Sequence, residues 1–222
     1  TIVKEWLYQV LSPDTSIVKN PGSYNSQLGV PLSVLQIQAH HQLGIFEAGI
    51  STAGEMLHLA EVIQPTLGVF TNIGPSHDEG FADTRQKIRE KLKLFSHVRK
   101  LVYCADHELI HEELKHTSIA TCSWGTSADA HIHVAVLGKR KYEITHQGSR
   151  FSLELHFDDK ASIEKCNACS CRDAVVGLRA GTHTRAPQGS QKYSNAIEAE
   201  RRHQRLLCDR RFIQQRLERV AN

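Results

Sequence analysis

TLGVFTNIGPSHDEGF, residues 66–81, carries the decisive signal of this chain. TLGVFTNIG reads as a short buried strand that stops at polar residues and glycine, and DTRQKIREKLKLF (83–95) follows it as a helix. The same step recurs on both sides. Upstream, LGIFEAGIS (43–51) reads as a buried strand running into a loop, and GEMLHLAEVI (54–63) as a helix. Downstream, LVYCADHELIHEEL (101–114) repeats strand-to-helix. At the start, IVKEWLYQVL (2–11) places Ile2, Trp6, Leu7, Val10 and Leu11 at helical spacing, and SIVKN (16–20) offers a short strand. Near-continuous apolar strands separated by helices predict a parallel sheet covered on both faces. After Trp124 the pattern changes: HIHVAVLG, KYEITHQG and RFSLELHF alternate polar and apolar residues between glycine-bearing turns, as an antiparallel ribbon does. The expected fold class is therefore α/β, a mostly parallel sheet with helices on both faces and a small antiparallel extension.

Composition narrows the function classes. A chain of 222 residues can bury a real core, and 27 Lys+Arg against 24 Asp+Glu leave a net charge of +3, too little for a nucleic-acid coat. No apolar run approaches the length of a membrane span, and TIVKEWLYQVL is unlike a secretory leader. Six irregularly spaced cysteines fit reduced thiols, so a cytoplasmic chain without nucleic-acid partner or membrane insertion is expected. The charge is unevenly spread: residues 1–165 hold 16 basic and 19 acidic side chains, whereas residues 166–222 hold 11 and 5. Two parts are expected accordingly, an α/β domain over 1–165 and an irregular basic tail over 166–222.

In sheets of this kind ligands bind beyond the carboxyl ends of the strands. Glu47 ends LGIFEAGIS, Asn72 ends TLGVFTNIG, and His77 follows five residues later. A carboxylate and an imidazole gathered there suit a divalent cation, with Asn72 free to bind a base or sugar; capping or loop roles for Glu47 and His77 are the alternative.

Taken in order, Thr1 with IVKEWLYQVL, NPGSYNSQLGVPLSVL (20–35), EAGIS (47–51), TNIGPSHDEGF (71–81) and KIREKLKLF (87–95) resemble the central ATPase domain of the Mur ligases. The likeness runs over residues 1–165 and is nearest to the branch acting on UDP-N-acetylmuramoyl-tripeptide and D-alanyl-D-alanine, including forms fused to alanine racemase. Folylpolyglutamate synthase shares the logic but matches SYNSQLGVP and EAGIS less well. The resemblance implies a P-loop NTPase-like fold, ATP and Mg²⁺ as cofactors, a monomer, and amide formation in peptidoglycan precursor synthesis through an acyl phosphate. It implies that Thr1 is the last residue of the phosphate loop and a Mg²⁺ ligand, that Glu47 and His77 are metal ligands, and that Asn72 lies near the nucleotide. It further implies that Asn25 faces the muramoyl-peptide, and that Lys91, fourteen residues after His77, is carbamylated into a metal ligand. His77 and Lys91 are the catalytic candidates. The chain reads Lys91-Leu92-Lys93 where other members have Lys-Gly-Glu, and Asp106 falls where the family often has an acid. Without the Gly-Lys of the phosphate loop, the 222-residue chain is expected to be inactive or nearly so.

The likeness stops within one residue of FDDKASIE (157–164), where the family continues Asn-Ala and this chain gives Lys165 and CNACSC. A one-base frameshift near Lys165 is the expected origin of the tail. Back-translating residues 194–217 and reading one base later permits an Asp-Asp-Ser-Tyr-Asn type of segment, to which Gln214 and Gln215 contribute only Asn or Ser. The other readings are a zinc site at Cys166, Cys169 and Cys171, a nucleic-acid arm over 201–219, and a non-enzymatic decayed fragment.

Overall fold

The computed structural model describes residues 1–74, 78–154, Glu164 and Ala168. The readings placed on His77, Cys166, Cys169, Cys171, the basic stretch and the frameshift lie outside the described residues.

The chain opens with helix α1 (Ile2–Leu11), which buries Trp6, Leu7, Val10 and Leu11 along one stripe. Strand β1 (Ile17–Lys19), helix α2 (Gly29–Val34) and strand β2 (Leu43–Ile45) follow, and β1 and β2 pair in parallel as a sheet of two strands. Helix α3 (Glu55–Ile63), strand β3 (Leu67–Phe70), helix α4 (Thr84–Leu92), strand β4 (Lys100–Cys104), helix α5 (Glu108–Lys115) and strand β5 (Thr121–Gly125) continue the alternation. Strands β6 (Ile132–Gly138), β7 (Lys141–His146) and β8 (Ser149–Glu154) complete a six-stranded sheet in the order β3-β4-β5-β6-β7-β8. Pairing is parallel from β3 to β6 and antiparallel from β6 to β8. The expected mostly parallel α/β sheet with its antiparallel extension is therefore present, with α3, α4 and α5 together on one face of it and with one refinement: β1 and β2 form their own small sheet instead of joining the large one. Strand β2 is only partly buried and, among the described residues, pairs with β1 on one side.

Side chains alternate across the large sheet, and the register makes the two faces explicit. Phe70 pairs with Tyr103, and Gly68 with Leu101; this face meets Met56 and Leu59 of α3, Ile88 and Leu92 of α4, and Ile110 and Leu114 of α5 in one core. Val102 lies beside Cys122 and Cys104 beside Trp124 on the opposite face, all buried. Gly68 admits the turn Lys93–Phe95 onto β3, since a Cβ there would stand 2.5 Å from Cδ1 of Phe95. No helix among the described residues is long and apolar enough to cross a membrane.

Helix α4 starts where Asp83, in extended conformation, accepts a hydrogen bond from the Gln86 amide at 2.6 Å. Two turns of this helix bury charge as well as apolar surface: Lys87 is 2% and Glu90 3% exposed. Each has a partner in a different segment. Lys87 Nζ donates to the Gly74 carbonyl at 2.6 Å, and Glu90 accepts from the Gly54 amide at 2.6 Å and pairs with Lys93 at 2.5 Å. On the α5 side, Arg89 and Arg85 converge on Glu113 at 2.6 Å and 3.0 Å, and Arg85 also reaches Glu112. Helix α4 thus ties α3, the segment after β3, and α5 to one frame.

Candidate functional site

The carboxyl ends of β2 and β3, the first turn of α1 and the last turns of α4 converge at one place. Glu47 leaves β2 after two residues and turns its side chain between two partners. Its Oε1 accepts from Asn25 Nδ2 at 2.7 Å, and its Oε2 stands 2.8 Å from the Thr1 α-amino nitrogen. That second oxygen is buried. Burial pushes the Glu47 carboxyl up, while hydrogen bonds from Thr1 and Asn25 pull it down, and the group lies below its ordinary value. Glu47 is therefore anionic near neutral pH.

Asn25 is held by the same segment, since the Gly49 amide donates to its carbonyl at 2.8 Å. Gly49 has room for no large side chain there, because a Cβ would lie 3.2 Å from Asn25 Cγ. The loop 21–25 and the segment 46–49 are consequently laced together beyond the point where β1 and β2 stop pairing.

Asn72 lies at the exit of β3 and is exposed. With Thr71, Phe70, Lys91, Phe95 and Met56 it lines a small cavity of about 80 Å³. Lys91 is half-buried. Burial first, then the charge of Lys87 one turn earlier, push its amine below the ordinary lysine range, while Glu47 draws it back up. The consequence is chemical: a larger share of Lys91 is free amine, the nucleophilic form. Leu92 is 6% exposed and fills the core, and Lys93 pairs with Glu90, so the Lys-Leu-Lys sequence is accommodated without disturbing the turn that presents Lys91.

Thr1, Asn25 and Glu47 are thus in direct contact, with Lys91 and Asn72 sharing the adjacent cavity. His77 lies outside the described residues. Asp106 sits elsewhere, at the ends of β4 and β5, where its carboxylate accepts from the Thr126 amide at 3.0 Å and its hydroxyl at 3.2 Å. Three groups that hold the site escaped the sequence reading: Lys4, Asn20 and Lys87. Lys4 falls on the apolar stripe of α1, where a lysine is out of pattern, and that misplacement was the available signal.

Among the described residues no group of three or more His, Cys, Asp and Glu surrounds a common point. The donors present are nevertheless of the type Mg²⁺ takes: Glu47 offers a buried carboxylate oxygen, and Thr1 a hydroxyl beside it.

Comparison with known proteins identifies the family. The family described as Mur ligase middle domain matches residues 1–167. The UDP-N-acetylmuramoyl-tripeptide--D-alanyl-D-alanine ligase of Treponema pallidum is 40% identical over 97 residues, which are 43% of this chain and 21% of that protein. The ligase of the same name from Bacillus subtilis is 28% identical over 129 residues, 57% of this chain and 28% of that one. Among solved structures, MurF from Acinetobacter baumannii superposes with a TM-score of 0.70 at 19% identity, covering 89% of this chain and 43% of the other. MurF from Thermotoga maritima in complex with ADP gives 0.68 at 22% identity, covering 79% and 42%. The chain thus spans less than a third of these curated relatives and less than half of the solved chains, and the structural likenesses speak for the fold. With its middle-domain match over residues 1–167, its α/β architecture and its polar cluster at the strand ends, this chain belongs to the Mur ligase family.

Proposed function

We propose that residues 1–165 form the nucleotide-handling domain of an ATP-dependent amide ligase of peptidoglycan precursor synthesis. The reaction joins D-alanyl-D-alanine to UDP-N-acetylmuramoyl-tripeptide in the cytoplasm. One observation carries this reading: an anionic, half-buried Glu47 is pinned between the start of α1 and Asn25, with the depressed amine of Lys91 in its field. The ligase names of the similar proteins support it.

The chain's own residues divide the work. Thr1 and Glu47 are the oxygen donors that would hold Mg²⁺, with His77 joining them. An ion held there would supply positive charge to phosphate oxygens. Asn25 keeps Glu47 aimed and forms the wall on the peptide side; Asn72 borders the nucleotide. Lys91 as free amine would add carbon dioxide, forming an N–C bond and releasing one proton, so that a neutral amine becomes an anionic carbamate able to serve as a further metal ligand. No protein nucleophile toward the peptide is needed, because activation comes from phosphoryl transfer.

The test is calorimetric titration of the 222-residue chain with ADP, with and without Mg²⁺. The Glu47→Gln variant keeps an acceptor for Asn25 and removes the charge. Mg²⁺ is expected to tighten ADP binding to the parent chain, and the variant to lose about tenfold or more of that gain. An undiminished Mg²⁺ effect in Glu47→Gln refutes the assignment.

A further inference from the structure

Asn20 follows β1 directly, where the backbone turns away at Pro21, and its side chain is fully buried. A buried carboxamide has to be hydrogen-bonded or it destabilises the fold. This one makes three bonds. Its Nδ2 donates to the Tyr24 carbonyl at 2.6 Å and to the Glu47 carbonyl at 2.9 Å, and its Oδ1 accepts from the Glu47 amide at 3.0 Å. Two of them grip both backbone groups of Glu47, so the side chain continues the β1–β2 ladder after the last backbone pair, Lys19 with Ile45. The third fixes Tyr24, the residue before Asn25.

Behind Asn20 stands Lys4, only 4% exposed. Its Nζ donates to the Asn20 carbonyl at 2.6 Å and to the Gly22 carbonyl at 2.5 Å, with Glu5 at 3.4 Å as counter-charge. Lys4 lies on the buried face of α1, one turn after Thr1. A chain of contacts therefore runs from the start of α1 through the turn 20–22 to the Glu47 backbone and the Asn25 loop. The Glu47 carboxylate and Asn25 close it with their own bond. Neither Lys4 nor Asn20 reaches the cavity, so their effect on the site is exerted through Glu47.

We propose that Asn20, braced by Lys4, is a positioning residue that sets the Glu47 carboxylate and the Asn25 loop as a single unit. The metal-side and peptide-side walls of the site then keep one geometry. Other residues fail for stated reasons: aspartate would face two carbonyl oxygens with an acceptor, and alanine would leave three backbone groups unpaired. The link to Mg²⁺ rests on the function proposed above; the positioning itself does not.

Two measurements on the 222-residue chain separate these claims. Hydrogen exchange of the Glu47 amide reads the positioning without any ligand. In Asn20→Ala it is expected to speed up about tenfold or more, while amides of β4 stay within about twofold of the parent. Lys4→Met, which keeps the aliphatic stem, shifts Glu47 in the same direction by less, and it carries the test if Asn20→Ala does not fold. The second measurement is the factor by which Mg²⁺ tightens ADP binding, expected to fall about fivefold or more in Asn20→Ala with metal-free ADP binding unchanged. Unchanged Glu47 protection in the folded variants overturns the proposal. Lost protection with the full Mg²⁺ effect overturns it as well, since Asn20 would then only shape the loop. Absence of any Mg²⁺ effect in the parent chain refutes the nucleotide reading instead, and the exchange result alone then decides for or against the positioning.

Discussion

Gly68→Ala tests how tightly the end of α4 is seated on the large sheet. A Cβ at this position would lie 2.5 Å from Cδ1 and 2.8 Å from Cε1 of Phe95, and 2.8 Å from Cδ1 of Leu101. Carbon atoms in contact prefer about 3.5–4.0 Å, so the methyl overlaps its neighbours by roughly 1 Å. Neither neighbour can yield easily: Leu101 is fully buried and Phe95 is 8% exposed, packed against Phe70 with ring centroids 6.1 Å apart. Overpacking of this kind costs about 1–3 kcal/mol. The substitution also removes conformational freedom from the unfolded chain, which returns about 0.4–1 kcal/mol. The expected net loss is about 1–2 kcal/mol, or a Tm lower by about 2–8 °C for a domain of this size. Urea denaturation should show a lower midpoint at unchanged m value. Phe95→Leu removes Cε1 and leaves a smaller, more adaptable side chain, which eases the Phe95 part of the conflict, so the double variant should be more stable than the sum of the single effects by about 0.5 kcal/mol or more. Gly68→Ala within about 0.5 kcal/mol of the parent, or strict additivity with Phe95→Leu, refutes the packing account.

Two further outcomes follow from the charge and thiol environments. The Arg89 hydrogen bonds first, and those of Arg85 with them, hold the Glu113 carboxyl below its ordinary value of 4.5 against the opposing effect of burial. A depressed folded-state pKa means that this stabilisation is complete above the unfolded-state value and is lost as pH falls through the folded one. Denaturation midpoints measured from neutral pH downward should therefore fall less steeply below that value in Glu113→Gln than in the parent; parallel acid limbs count against a stabilising role for the Arg85, Arg89 and Glu113 contacts. Burial pushes the Cys104 thiol up to about 12 and the Cys122 thiol up as well, which keeps both protonated and unreactive at neutral pH. Peptide mass spectrometry after iodoacetamide treatment should find both unmodified in the native chain and alkylated after denaturation. Rapid native alkylation of Cys104 would contradict its burial.

Much of the architecture was legible in local pattern. The apolar runs before Asn72 and Asp106 and the helical spacing at 2–11 and 83–95 depend on side chains a few residues apart, and each became the expected element. The polar alternation after Trp124 became β6 to β8 for the same reason. Strand β5 and helix α2 were not anticipated. Strand β5 alternates Cys122 and Trp124 with Ser123 and Gly125, a weak strand pattern, and Pro31 sits in α2 where its missing amide costs nothing because first-turn amides have no intrahelical partner.

For the site, the sequence by itself determined the family and the residue types: Thr1, Asn25, Glu47, Asn72 and Lys91 were singled out from motif order. The tertiary structure alone decided what each one touches. A charge reads as solvent-facing in one dimension, and Lys4, Lys87, Glu90 and Glu113 are buried because their partners arrive from segments 13 to 36 residues away. Asn20 and Glu47, 27 residues apart, meet only because β1 and β2 pair in parallel with a helix between them. Local periodicity can specify that two strands form, but the hydrogen bonds that aim a carboxylate beyond their ends exist only once the strands are side by side.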